Sequence, residues 1–281
     1  MCIRDRAGSE EQKRAWLPRI VSGDAILTTA WLEPGSGFGS RSVQARAVAT
    51  SDGGFELDGV KWHVPFASAA TAIIVLARTG EGDADVDLFV VEAGATGLTM
   101  NQQLTIGSDT QYEVTLSGVR VPASARIGGP GSGWGTWHAT MLDGIVLLAA
   151  QAVGGARYAL DITVQYAKDR EQFDKPLGAF QAIAHYLADA ATAVDGAETL
   201  VYEAAWARAN GRSIDRLAPM AKLFACKTYR DVTATAQQIF GGVGFTLEYD
   251  VQLFFRRAKQ LQITWWDDRV LEELVAATVL D

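Results

Sequence analysis

A change of texture at the glycine-rich stretch Gly128–Gly135 (GGPGSGWG) divides the chain into two kinds of sequence. Before it, between Ala25 and Val121, short apolar or alternating runs stand at Ala25–Trp31, Val43–Ala49, Ala72–Ala77, Val86–Glu92 and Tyr112–Val121. Turn chemistry separates them: Glu33-Pro34-Gly35, Ser51–Gly54, Gly80–Asp83 and Gly94–Gly97. Short strands at this spacing, with no helical period between them, predict an antiparallel sandwich or barrel in place of βαβ units. After Thr136 the runs lengthen. Ile145–Asp169, Gln181–Asn210, Ile214–Phe240 and about Tyr249–Val279 read as four helices, the first apolar all round and so central to a bundle. The reading is α+β, an all-β domain followed by a four-helix bundle. The glycine stretch is a linker or, as the alternative, a phosphate loop without the Lys-Ser/Thr ending of a P-loop.

Upstream, Ser9–Val21 reads as one short helix, with Ser9 and Gln12 placed for a capping box and Pro18 breaking the run. A lone helix leading into strands suggests that the chain starts partway through a larger architecture. The expected domains are 1–22, the tail of a helical domain, then 23–127 and 128–281. The opening MCIRDR lacks the apolar run of a signal peptide and reads as non-native.

Composition removes several function classes. A hydrophobic content of 48% over 281 residues supports a large core, and a net charge of −8 disfavours a nucleic-acid surface. Two cysteines, Cys2 and Cys226, give neither a disulfide framework nor a metal site, and His63, His138 and His185 lack ligand spacing. The most apolar stretch, Gly144–Ala156, is 13 residues long before Arg157 interrupts it, short of a membrane span. No strict G-x-G-x-x-G follows a strand, which disfavours a Rossmann unit. A soluble cytoplasmic protein without a metal is expected.

Chemistry concentrates in Tyr166–Gln181, YAKDREQFDKPLGAFQ, and in Gln237–Gly244, QQIFGGVG. Lys168 and Arg170 close a helix, where cations complement the dipole. The sharper reading is a diphosphate clamp, with the Arg170 guanidinium forking onto phosphate oxygens and Gln172 and Gln181 adding amide donors. Gly241 and Gly242, one turn after Gln238, would let the backbone approach a ligand closely.

Together with EEQKRAWLPRIVSGD at Glu10–Asp24, EPGSG at Glu33–Gly37, DGVKWHV at Asp58–Val64, VRVPA at Val119–Ala123 and MAKLFA at Met220–Ala225, these stretches resemble the acyl-CoA dehydrogenases. That resemblance implies a helical domain, a middle β domain and a C-terminal four-helix bundle, with FAD lying across a subunit interface of a homodimer or homotetramer. It implies acyl-CoA as substrate. By matching position, Arg170, Gln172, Phe173 and Gln181, with Gln238, Gly241 and Gly242, would hold the diphosphate and adenosine end of a neighbour's FAD.

The flavin side departs from the pattern. Leu32 stands where the family has Thr, Phe38-Gly39 where it has Ser-Asp, His63 where an aromatic residue packs on the flavin, and Pro65 where Thr or Ser is usual. Pro65 also has no N–H to give. The reaction needs a carboxylate to take the acyl α-proton. Alignment through Arg257-Ala258-Lys259 puts the family's Glu on Trp265, and the alternative Glu position on Gly144. Asp143 and Asp267 are the nearby carboxylates, with capping or solvated roles as the plain alternative. Three functions follow: a dehydrogenase with a displaced base, a non-catalytic partner in a hetero-oligomer with a second such chain, or a flavin monooxygenase or nitroalkane oxidase on the same fold.

Overall fold

The computed structural model describes residues 7–280, so the expectation for MCIRDR lies outside the described residues. Residues up to Thr140 and residues from Met141 onward form two compact units.

In the first unit, helix α1 (Glu10–Ser22) starts on the anticipated capping box, with Ser9 Oγ accepting from the Gln12 amide at 3.2 Å and the Ser9 amide donating to Gln12 Oε1 at 3.0 Å. Pro18 does not break the helix. The run continues to Ser22 and stops at Gly23, whose φ of 83° closes it in the left-handed region. The Gln12 side chain, through Nε2, donates to the Ser124 and Arg126 carbonyls, at 2.7 and 2.9 Å.

Eight strands follow: β1 (Leu27–Ala30), β2 (Arg46–Ala49), β3 (Phe55–Pro65), β4 (Ala72–Arg78), β5 (Val86–Glu92), β6 (Leu98–Gln103), β7 (Gln111–Val121) and β8 (Arg126–Ile127). They form one sheet in the order β6-β7-β3-β2-β4-β5-β8, with β1 on β4. Most pairs are antiparallel, but β1 runs parallel to β4, Leu27 facing Ala72, and β2 meets β4 in parallel at Arg46 and Arg78. The sheet is therefore mixed. Ala72–Ala77 and Val86–Val91 are buried throughout, which is why both read as apolar runs, interrupted in the second by the buried Asp87.

Three strands, β3, β6 and the two-residue β8, are absent from the expectation. In β3 the ladder to β7 shifts register between Leu57 and Gly59 and again between Lys61 and Val64, so each bulge resets the alternation. A Cβ on Gly59 would lie 2.5 Å from the Ala45 Cβ, a close approach only glycine allows. β6 is a largely polar edge strand, the kind that composition hides.

The glycine stretch is neither a free linker nor a phosphate loop. The Gly131 amide donates to the Asp87 carboxylate at 2.7 Å, so it faces an anion already. At Gly133, where a Cβ would stand 2.5 Å from the Asp87 Cα, helix α2 begins, 12 residues before the expected Ile145. The glycines serve close packing, with Trp137 buried against Trp31 at 5.6 Å.

Helix α2 (Gly133–Asp169) continues through the second unit, followed by a two-residue hairpin, β9 (Glu171–Gln172) and β10 (Lys175–Pro176), then α3 (Gln181–Ala209), α4 (Leu217–Phe240), α5 (Val251–Ile263) and α6 (Asp268–Leu280). By length and hydropathy α2 would also suit a membrane, but half of that apolar window is buried in the protein, and the helix also exposes Leu147 and Tyr158. The fourth helix of the expectation is two helices. Trp265, with φ 67°, breaks it, and the break is held from below by Lys222, whose Nζ donates to the Trp266 and Gln262 carbonyls at 2.6 and 3.2 Å.

Candidate functional site

The bundle unit brings the clamp residues to one of its ends. Tyr166, near the end of α2, stacks on Phe240, the last residue of α4, with ring centroids 4.1 Å apart, and Tyr249 abuts both rings. Arg170 therefore follows one turn after this stack on one chain segment, and Gly241-Gly242 follow it directly on the other. The Arg170 amide donates to the Tyr166 carbonyl at 2.8 Å, and its carbonyl accepts from Leu177 at 2.9 Å, which closes the hairpin. At the hairpin tip Phe173 and Asp174 both have positive φ, 55° and 60°, the backbone of a type I′ turn. Phe173 is 86% exposed there, edge-on to Phe180, and Lys175 lies 4.2 Å above the Phe180 ring.

These groups suit an anionic cofactor by their chemistry. Arg170, Gln172, Gln181, Gln238, Gly241 and Gly242 are all exposed, and among the described residues Arg170 has no carboxylate partner. Gln172 is the exception to a free set, its amide donating back to the Glu171 carbonyl at 2.7 Å. Gln181 opens a 29-residue helix that no side chain caps, so the positive end of the dipole is open to an anion beside Arg170. Gly241, with φ 65°, and Gly242 have no neighbouring atoms in the space of a Cβ, leaving room for a ligand against the backbone. Behind that turn the Gln237 amide is 5% exposed, with neither its nitrogen nor its oxygen partnered.

In the sheet unit, the two stretches expected to face a flavin are bound to each other. The Trp62 amide donates to the Leu32 carbonyl at 2.8 Å, which places Leu32 next to the β3 bulge carrying His63, two residues before Pro65. The Pro65 carbonyl accepts from Thr28 Oγ1 at 2.6 Å. Beneath them lies a buried ion pair that the sequence did not reveal. Glu33 accepts from the Gln44 and Ala45 amides, at 2.8 and 3.0 Å, and from Lys61 Nζ at 2.6 Å. Both side chains are almost fully enclosed, and burial pulls the Lys61 ammonium down to about 8 against the attraction of Glu33. The pair joins the EPGSG loop to β3.

Both candidate carboxylates are engaged. Asp143 Oδ1 accepts from Arg208 Nε at 2.6 Å. Asp267 Oδ1 accepts from the Val270 amide at 3.0 Å and caps α6. Gly144 and Trp265, the two positions expected for a catalytic Glu, meet in space, because a Cβ on Gly144 would stand 1.9 Å from Trp265 Cζ3 and 2.3 Å from Cη2. The indole occupies the ground above Gly144. Lys222, which holds this turn, is pulled down first by burial, and the buried Cys226 thiol is pushed up to about 11 by the same cause.

Comparison with known proteins settles the relationship. Residues 28–119 match the model of the acyl-CoA dehydrogenase middle domain, and residues 131–280 match that of the acyl-CoA dehydrogenase C-terminal domain. The chain belongs to the acyl-CoA dehydrogenase family. It is 34% identical to a probable acyl-CoA dehydrogenase, YngJ, of Bacillus subtilis over 279 residues, covering 97% of this chain and 73% of that one. The structure of butyryl-CoA dehydrogenase from Megasphaera elsdenii superposes with a TM-score of 0.96 at 33% identity, over 99% of this chain and 74% of that chain. An FAD complex of PigA superposes at 0.93 with 27% identity, over 98% and 73%. As an acyl-CoA dehydrogenase-family flavoprotein the chain uses FAD, and its mixed-sheet unit followed by helices is the family's architecture.

Proposed function

We propose that the chain is an FAD-dependent dehydrogenase that oxidises the α,β bond of an acyl-CoA thioester. The observation carrying this is the open clamp at one end of the bundle: an Arg170 without a carboxylate partner among the described residues, beside an uncapped helix N-terminus. Arg170, Gln172, Phe173 and Gln181, with Gln238, Gly241 and Gly242, hold the diphosphate and adenosine end of FAD, and Leu32, His63 and Pro65 face its ring. FAD supplies the hydride acceptor when bound. The protein must orient the thioester, exclude water and take the α-proton on a carboxylate.

Asp143 and Asp267 are the two acids near the alignment positions, and each must leave an existing partner, Arg208 or the Val270 amide, to turn toward a substrate. The active form is a homodimer or homotetramer, in the cytoplasm, serving fatty acid metabolism. Bleaching of the flavin absorbance by an acyl-CoA mixture, lost in Asp143→Ala or Asp267→Ala, is the expected result. A flavin-loaded protein inert to a broad acyl-CoA panel would overturn the catalytic reading.

One observation favours a second reading. The Trp265 indole fills the space above Gly144 where either family Glu would sit, as expected of a subunit that clamps a neighbour's FAD and leaves the chemistry to a second acyl-CoA dehydrogenase chain. Co-purification with such a chain, and activity only in the mixture, would establish it. A fully active homo-oligomer would exclude it.

A further inference from the structure

The β3 bulge does more than carry His63; it presets the imidazole. Asp109 is the start of a side-chain relay. Its Oδ1 accepts from Thr105 Oγ1 at 2.5 Å and its Oδ2 accepts from Gln111 Nε2 at 2.5 Å. An ionised carboxylate only accepts, so it takes the amide N–H₂ of Gln111 and leaves the amide oxygen pointing the other way. That oxygen lies 2.8 Å from His63 Nδ1. Facing an acceptor, Nδ1 must carry a proton, and in the neutral imidazole Nε2 is then the nitrogen that keeps a lone pair.

The ring is fixed as well as its tautomer. The His63 amide donates to Gln103 Oε1 at 3.1 Å, the backbone sits at φ 55°, and Trp62, itself tied to Glu113 at 2.8 Å, stands edge-on at 6.0 Å. The surroundings are open, and exposed apolar side chains stand in the sequence next to these polar ones. Phe66, directly after the bulge, is 56% exposed, and Leu104 and Ile106, just beyond Gln103, are 95% and 69% exposed. An exposed imidazole held in one orientation, with apolar side chains exposed on the neighbouring segments, suits a flat heteroaromatic ring that carries an N–H.

We infer that His63 is a hydrogen-bond acceptor for the isoalloxazine ring of FAD, held in its Nδ1–H form by Gln111 and Asp109. This rests on the placement of the flavin ring proposed above. His63 touches the cofactor, whereas Gln111 and Asp109 are positioning residues that act through it.

The test uses flavin-loaded protein with ¹⁵N-labelled histidine rings, whose three histidines are separated by the His63→Phe variant. The His63 signals should report a protonated Nδ1 and a bare Nε2. Asp109→Asn, which lets the Gln111 amide turn over, should erode that preference. In FAD titrations of the deflavinated protein, His63→Phe should weaken binding by about three- to tenfold, the loss of one hydrogen bond. Asp109→Asn should weaken it less, and add nothing in the His63→Phe background. Arg170→Met serves as the control for the clamp. If Arg170→Met weakens FAD binding while His63→Phe does not, the inference fails and the FAD site stands. If neither does, the placement of FAD itself fails. A protonated Nε2, or a His63→Phe effect confined to the KM for acyl-CoA, would equally overturn it.

Discussion

Replacing Gly144 with alanine asks directly whether the Trp265 ring holds the space above it. The new methyl carbon would lie 1.9 Å from Cζ3 and 2.3 Å from Cη2, against a normal carbon separation of about 3.5–4.0 Å. The ring must retreat by more than an ångström. Its backbone resists this, because the following carbonyl, that of Trp266, is gripped by buried Lys222 at 2.6 Å. Overpacking of this kind costs about 1–3 kcal/mol. In a Trp265→Ala background the obstacle is gone, and glycine to alanine inside a helix gains about 0.5–1 kcal/mol. Gly144→Ala should therefore change sign between the two backgrounds, giving a coupling of about 2–4 kcal/mol in a double-mutant cycle. Urea denaturation followed by far-UV circular dichroism on the four proteins reads it, provided the m-values agree. If Gly144→Ala costs the same with and without the indole, the ring does not occupy that space, and Gly144 is open to a substrate or a base.

The Glu33–Lys61 pair makes a pH prediction. The folded Lys61 titrates at about 8 and the free side chain at 10.5, so between these values the unfolded chain binds more protons and stability rises with pH. The rise between pH 7.5 and pH 10 should be about 2 kcal/mol and be missing in Lys61→Met, by denaturation at the two pH values. A fall in stability over that window in the wild type, absent in the variant, would contradict it. Lys222→Met removes the donor from two buried carbonyls and should destabilise by about 1–3 kcal/mol, with faster amide exchange confined at first to Thr264–Arg269. Exchange unchanged in that turn would show that it is held by something else. Arg170 is exposed, so Arg170→Met should leave the melting temperature of the flavin-free protein unchanged while weakening FAD about 10- to 100-fold, the loss of a charge-assisted hydrogen bond. Equal affinity in the two proteins would remove Arg170 from the clamp.

What the sequence determined by itself is local. The order of sheet and bundle follows from the change of period, the capping box at Ser9 and Gln12 from two residues three apart, and the clamp motif from sixteen contiguous residues ending at Gln181. Period and turn chemistry report which face is buried and where a run ends, and they need no knowledge of partners. They failed where a second layer of packing intervenes. Bulges in β3 erased its alternation, glycines at 131 and 133 looked flexible although they press on Asp87, and the last bundle helix looked continuous across Trp265.

Only the tertiary structure decided the rest, for one physical reason: an apolar or charged side chain carries no mark of which distant group it will meet. Glu33 and Lys61 read as ordinary charges until burial joins them across 28 positions. His63 looked like an isolated substitution until Gln111 and Asp109 fixed its proton. Trp265 and Gly144, 121 positions apart, looked like two separate departures from one family pattern. In the folded bundle they are one feature, a ring filling the space that the missing side chain of the other leaves open.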